Sequence, residues 1–270
     1  MRIALISDAH FGPRATYDGK LRKLSDHAGP LVEQFVKRMN QSARPDLVIN
    51  LGDVVEDENH DADLAAYRRF LDLMSELEAP LLHVAGNHEC VNLSDDELRT
   101  LWKHEGPLYY SREIGGLHLT ILRARHQRAS SVTLAAEQLE WLRRDLAASE
   151  LPVLVFLHHP LSDMCLEGNR WFEREPHICL VQQRAEARAI LEQSGKVLAV
   201  LNGHVHWNHF DLVGQIPYIT IQSLIENVED DAPGRAARTH ALVDVSPERV
   251  LVRVFGEAPA RYQIERRQRQ

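Results

Sequence analysis

Five times along this chain, a short apolar run ends in a side chain able to hold a metal. Arg2–Ser7 leads into Asp8 and His10, Leu47–Leu51 into Gly52-Asp53, and Leu81–Ala85 into Gly86-Asn87-His88-Glu89. Pro152–Leu157 leads into His158-His159-Pro160, and Val197–Leu201 into Gly203-His204-Val205-His206. Apolar runs of this length read as buried strands. Separated by helical patterns, they predict an α/β sheet whose ligands gather at the carboxyl edge of the strands. One such residue alone is usually turn chemistry, because Asp and Asn satisfy nearby backbone groups. Recurrence at the same edge of successive strands is poorly explained that way. Asp53 shows the constraint most sharply, since Val54, Val55, Glu56, Asp57 and Glu58 follow it and offer no basic partner. An acid launched from a buried strand into an acidic loop calls for a cation.

Between these runs the spacing predicts a helix over Leu21–Asn40, with Leu31, Val32, Phe35, Val36 and Met39 on its apolar face. A second helix over Ala62–Leu77 carries Leu64, Tyr67, Phe70, Leu71 and Met74. Ser94-Asp95-Asp96-Glu97 has the form of a capping box opening a helix to about Lys103. Leu117–Leu122 reads as a strand after the Gly115-Gly116 turn, and Thr133 as the N-cap of a helix through Leu134, Leu139, Leu142 and Leu146. Residues 161–180 lack clean periodicity and resemble a surface excursion. Gln182–Gln193 reads as helix. From Asn208 the pattern turns to β, with short alternating runs at Ile216–Ile221, Ala241–Val245 and Val250–Phe255. With no repeat or low-complexity linker, residues 1–270 read as a single domain ending in a β-rich part.

Composition narrows the function classes. At 270 residues, 44% hydrophobic and 26% charged, the chain has ordinary globular composition. A formal net charge of −8 and a pI near 6.0 argue against a dedicated nucleic-acid binder. The basic cluster Arg261, Arg266, Arg267 and Arg269 reads as a solvated tail. Three cysteines, Cys90, Cys165 and Cys179, show no C-x-x-C spacing and suit reduced thiols. Met1–Ile6 is too short for an export signal, and no apolar run approaches a membrane span. The expectation is a soluble cytoplasmic protein.

Carboxylate, amide oxygen and imidazole form a nitrogen-and-oxygen donor set suited to Mn, Fe, Zn, Co or Ni. No cysteine stands at the strand ends, which argues against a thiolate zinc site. Four histidines, two aspartates and one asparagine exceed what one ion normally takes, so two ions sharing a carboxylate fit better. No G-x-S-x-G, P-loop or dinucleotide glycine fingerprint is present.

Taken together, Asp8-x-His10, Gly52-Asp53, Gly86-Asn87-His88-Glu89, His158-His159-Pro160 and Gly203-His204-x-His206 resemble the full signature of calcineurin-like metallophosphoesterases, in the family's order. The resemblance implies a four-layer αββα sandwich with two mixed sheets flanked by helices. It implies one metal on Asp8, His10 and His206, another on Asn87, His158 and His204, and Asp53 bridging both. His88 would not ligate but would sit over the phosphoryl oxygens, with Asn87 beside it. Between the adjacent histidines the resemblance favours His158 as ligand, leaving His159 for packing or support. A hydroxide held between the ions would attack phosphorus in line.

Compact size most resembles the class III cyclic-nucleotide phosphodiesterases and the bacterial glycerophosphodiesterases. The expected reaction is hydrolysis of 3′,5′-cyclic AMP or another small phosphodiester. The rivals are a phosphomonoesterase or an ADP-ribose-type pyrophosphohydrolase, and, ranked lower, a non-catalytic protein-binding scaffold. The expected partner is a small phosphate ester, with no nucleic-acid surface or membrane; a homo-oligomer is compatible. Arg14, His60 and His209 are substrate-rim candidates because each lies in a loop beside a ligand block. Glu89 suits either support of a ligating histidine or a turn cap. Cys90 suits a buried thiol. Trp171 and Phe172 suit a pocket cap, a dimer contact or a small satellite core.

Overall fold

The computed structural model describes residues 1–126 and 130–266. In chain order the elements are β1 (Arg2–Ile6), β2 (Ala15–Tyr17), β3 (Lys20–Lys23), α1 (Ala28–Arg38), β4 (Leu47–Asn50), α2 (His60–Met74) and β5 (Leu81–His83). There follow α3 (Glu89–Asn92), α4 (Asp95–Trp102), β6 (Tyr110–Ile114), β7 (Leu117–Ile121), α5 (Ala136–Ala148), β8 (Val153–Phe156) and α6 (Arg184–Ser194). The chain closes with β9 (Val197–Asn202), β10 (His209–Val213), β11 (Ile216–Thr220), β12 (His240–Val245), β13 (Arg249–Phe255) and β14 (Ala260–Glu265).

Two six-stranded sheets carry the fold, ordered β14-β13-β12-β1-β4-β5 and β10-β11-β9-β8-β7-β6. In the first, β1, β4 and β5 are parallel and β12 to β14 are added antiparallel. In the second, β7, β8, β9 and β11 are parallel, with β6 and β10 as antiparallel edges. Both sheets are mixed.

Alternation along each strand decides which layer a residue joins. Ile3 and Leu5 of β1, with Leu47 and Ile49 of β4, meet Leu119, Ile121, Leu154 and Phe156 of the second sheet. Ala4, Ile6 and Val48 face the other way, onto Val32 and Phe35 of α1 and Tyr67 and Phe70 of α2. Val153 and Val155 likewise face Leu139 and Leu142 of α5 and Ile190 and Leu191 of α6. The result is a four-layer αββα sandwich. Central strands are apolar on both faces, which is why the sequence shows them as continuous runs. Each fully buried Leu, Ile or Phe contributes about 1.5–3 kcal/mol.

Several boundaries differ from the sequence expectation, each for a physical reason. Helix α1 starts at Ala28, not Leu21, because Lys20–Lys23 turns back at Asp18-Gly19 and pairs with Ala15–Tyr17. Both turn residues have positive φ, 52° and 70°. Ser94 caps α4 through both bonds of the expected capping box. Thr133 does not cap α5; it exchanges backbone hydrogen bonds with Arg125 at 2.9 and 2.7 Å, and the helix begins at Ala136. The end of the chain is not a free tail up to residue 266, because Arg261 lies in edge strand β14 and the Arg266 guanidinium donates to the Ser246 carbonyl at 2.7 Å. Arg267 and Arg269 lie outside the described residues. No helix among the described residues is long and apolar enough to cross a membrane.

Candidate metal centre

The sandwich brings five strand ends together. Asp8 and His10 follow β1, Asp53 follows β4, Asn87 follows β5, His158 follows β8, and His204 and His206 follow β9. The first three strands are neighbours in one sheet and the last two in the other. Asp8, His10, Asp53, His158, His204 and His206 are all buried. Asp8, His10, Asp53, His204 and His206 have positive φ, between 45° and 70°, an uncommon conformation for side-chain-bearing residues. Such strain persists where the surroundings impose it, and it concentrates at functional sites. The glycines of these blocks permit the close approach: a Cβ on Gly203 would fall on Ser7 Oγ and the Asp8 carboxylate, and one on Gly86 would fall on Asp53.

Two clusters stand side by side. Asp8, His10 and His206 form one, and Asp53, His158 and His204 the other, each with its potential ligand atoms within 4.8 Å of one another. In the first, His206 Nε2 lies 3.3 Å from Asp8 Oδ1 and 3.1 Å from His10 Nε2. In the second, His158 Nε2 lies 3.1 Å from Asp53 Oδ2 and 3.2 Å from His204 Nδ1. Asp53 Oδ2 is also 3.9 Å from His10 Nε2, so its carboxylate stands between the clusters.

Contacts behind the rings fix what they present. His206 Nδ1 donates to Glu226 Oε2 at 2.7 Å, and His158 Nδ1 to the Leu51 carbonyl at 2.8 Å. His10 Nδ1 lies 2.9 Å from Glu56 Oε2. With the outer nitrogens committed, each Nε2 turns a lone pair inward. Lone pairs and carboxylates at 3.1–3.3 Å repel unless a proton or a metal cation lies between them.

Electrostatics agree. Burial disfavours a charged His158 or His206, yet Asp53 beside the first, and Asp8 and Glu226 beside the second, push both up to about 9. Burial and Lys23 hold His10 down to about 4, and burial with His159 and His158 keeps His204 well below its usual value. Burial would raise Asp53, but His158 and His88 hold it well below the usual carboxylate range. Beside these groups the Asn87 side-chain oxygen is buried without a hydrogen-bond partner among the described residues. A nitrogen-and-oxygen donor set with an unpartnered amide oxygen fits first-row divalent ions.

His88 is half-buried, its side chain 21% exposed. Its backbone N–H donates to Asp53 Oδ1 at 2.9 Å, Nδ1 lies 3.3 Å from Asp57 Oδ1, and Nε2 lies 3.5 Å from Lys23 Nζ. His159 is buried against the rings of His158 and His204, and neither ring nitrogen is hydrogen-bonded among the described residues. Glu89 accepts the Gly86 N–H at 2.9 Å and so caps the turn. Burial and Asp53 push its carboxyl up to about 7. Burial lifts the Cys90 thiol to about 12.

The rim candidates are engaged elsewhere. Arg14 pairs with Asp26 at 2.8 Å, His60 sits between Asp61 and Glu97, and His209 stacks on Trp207 and pairs with Asp211 at 3.2 Å. The excursion at 161–180 covers the centre. Phe172 stacks on His204, and the Trp171 indole donates to Glu226 while its ring packs on His206. Phe172 also packs on a satellite core of Met164, Leu166, Cys179 and Val205.

Three contributors escaped the sequence reading of the site. Glu56 was legible only as one acid of the loop after Asp53. Glu226 and Lys23 carry no motif and reach the centre from 20 and 13 residues away from their histidines in sequence.

The sequence profile of the calcineurin-like phosphoesterases matches residues 1–208, ending just past His206. This chain belongs to the calcineurin-like phosphoesterase family. A probable cyclic nucleotide phosphodiesterase of Fibrobacter succinogenes is 26% identical over 76% of this chain and 73% of that protein. A cAMP/cGMP dual specificity phosphodiesterase of Mycobacterium tuberculosis is 30% identical over 75% of this chain and 61% of its own length. The crystal structure of a dimetal phosphatase from Danio rerio superposes with a TM-score of 0.80, covering 98% of both chains at 18% identity, a likeness of fold. Membership of that family makes this calcineurin-like protein a metal-dependent phosphoesterase.

Proposed function

We propose that this protein hydrolyses 3′,5′-cyclic AMP or another small phosphodiester at a centre of two metal ions. Asp8, His10 and His206 would hold one ion, Asn87, His158 and His204 the other, and Asp53 both. The observation carrying this reading is the pair of adjoining clusters with the Asp53 carboxylate between them. When bound, such ions supply an activated water and neutralise charge on the phosphoryl oxygens. The choice of a diester follows the names of the two relatives above.

The chain's own residues have distinct tasks. Glu56, Glu226 and the Leu51 carbonyl keep His10, His206 and His158 turned inward. His88, with Nδ1 toward Asp57, would deliver a proton from Nε2 to the leaving oxygen. Lys23 adds positive charge beside it. Phe172 and Trp171 exclude water from the histidines they cover. Both sheets send residues to one centre, so the whole chain would act as a single catalytic domain. Its free cysteines suit the reducing cytoplasm.

The test is turnover by the purified chain, loaded in parallel with Mn, Fe, Co or Zn, of cyclic AMP, glycerophosphocholine, p-nitrophenyl phosphate and ADP-ribose. Diesters should be cleaved best. Cleavage of the monoester or ADP-ribose alone, or of nothing by metal-replete protein, overturns the reading.

A further inference from the structure

Beside the metal cluster lies an aromatic surface whose outer ring, Tyr17, has no part in the chemistry above. Trp171 packs on His206 with ring centroids 5.3 Å apart, and Tyr17 packs on Trp171 at 5.0 Å and 32°. Lys23 Nζ lies 5.2 Å from the Trp171 ring centre. Tyr17 is 41% exposed, one of few large apolar side chains so open among the described residues. Two ring contacts therefore step from a cluster histidine to an open aromatic face.

Single exposed aromatics are ordinary, but this one is mounted rigidly. Tyr17 stands at the end of β2, and β3 ties the hairpin to the segment after β11. Leu24 N–H donates to the Ile225 carbonyl at 3.1 Å, and Asn227 N–H to the Arg22 carbonyl at 2.7 Å. Asn227 Nδ2 donates to the Leu21 carbonyl at 2.9 Å, and Arg22 pairs with Asp230. From the other side, Arg170 donates to the Asn227 carbonyl at 3.1 Å, and the neighbouring Trp171 indole is fixed on Glu226. The platform is set before any ligand arrives, which lowers the cost of binding.

We propose that Tyr17, backed by Trp171, is the stacking wall for the organic part of the substrate, and that the diester carries a nucleobase. The inference rests on the phosphodiesterase reading and narrows it. A nucleotide carries a flat base that such a wall can stack. A glycerol-based diester has no flat group and would leave the Tyr17 face bare. Stacking accepts any base, because each has a π-face, so Tyr17 selects the presence of a base more than its identity. Tyr17 binds and positions substrate without moving a proton.

The test compares wild type, Tyr17→Ala and Tyr17→Phe, all metal-loaded. For cyclic AMP, Tyr17→Ala should raise KM about tenfold with kcat nearly unchanged. Tyr17→Phe should behave as wild type, and turnover of glycerophosphocholine should stay within about twofold in both. Calorimetry with 5′-AMP gives a readout free of turnover, in which Tyr17→Ala should weaken binding by the same factor. If the chain cleaves no diester yet loses AMP affinity in Tyr17→Ala, the function proposed above fails and the stacking wall stands. Equal losses on both diesters, unchanged AMP affinity in Tyr17→Ala, or no AMP binding by wild type overturns the wall.

Discussion

The two clusters of the candidate metal centre are built alike in front and differently behind. Each has a buried aspartate, one histidine whose affinity for a proton is raised and one whose affinity is lowered. Behind the first, Glu226 and Glu56 back His206 and His10, with Lys23 on Glu56 at 3.0 Å. Behind the second, backbone carbonyls do that work, Leu51 for His158 and Ile178 for His204, at 2.8 and 3.3 Å. A carboxylate makes an imidazole a stronger donor than a neutral carbonyl does. The first cluster should therefore bind its ion more tightly, and the second should exchange more readily. Asp53 lies in the second, with Oδ2 3.9 Å from His10 Nε2 of the first, and in the proposed centre it serves both.

Removing that shared group breaks the comparison outright. Asp53→Asn should abolish pairing of the ions and cost more activity than any change at Arg14, His60 or His209, measured as metal content beside turnover. His88→Ala should lower turnover by about 10²–10⁴-fold while metal analysis matches wild type. Loss of an ion from His88→Ala would make His88 a ligand. Glu226→Gln tests the asymmetry itself: affinity for one ion should fall about 10–100-fold, with the weaker site's isotherm unchanged. If the weaker site moves instead, the two clusters have been ranked in the wrong order.

Proton linkage gives a smaller effect. Without metal, the neighbouring carboxylates push His158 and His206 up to about 9, above the unfolded value of about 6.5. Their contribution to stability is whole below about pH 6.5 and is lost as pH rises through about 9. Melting temperature of the stripped protein should fall over that window, and metal should remove the fall. Smallest of all, Arg14→Ala should leave turnover unchanged, since an exposed pair such as Arg14–Asp26 is worth at most about 1 kcal/mol.

The difference between front and back also explains what could be read from the sequence. The proposed ligands follow buried strands whose apolar runs announce them, so Asp8, Asp53, Asn87, His158 and His204 were legible as candidates from local pattern together with the family's motif order. Their supporters arrive through tertiary contacts. Glu226 sits in an irregular segment, and Lys23 in a charged strand, Lys-Leu-Arg-Lys, without apolar alternation. That same lack of pattern hides the β2–β3 hairpin and starts the expected helix before β4 seven residues too early. Edge strands β6, β10 and β14 were missed because their solvent-facing residues dilute the apolar signal. Central strands, buried on both faces, could not be mistaken.

The most direct measurement is a titration of metal-stripped protein with Mn while cyclic AMP turnover is followed. Activity should stay low through the first equivalent, rise with the second and level off at two per chain. Full activity at one equivalent, or two bound ions without turnover of any phosphodiester, would contradict a paired centre bridged by Asp53.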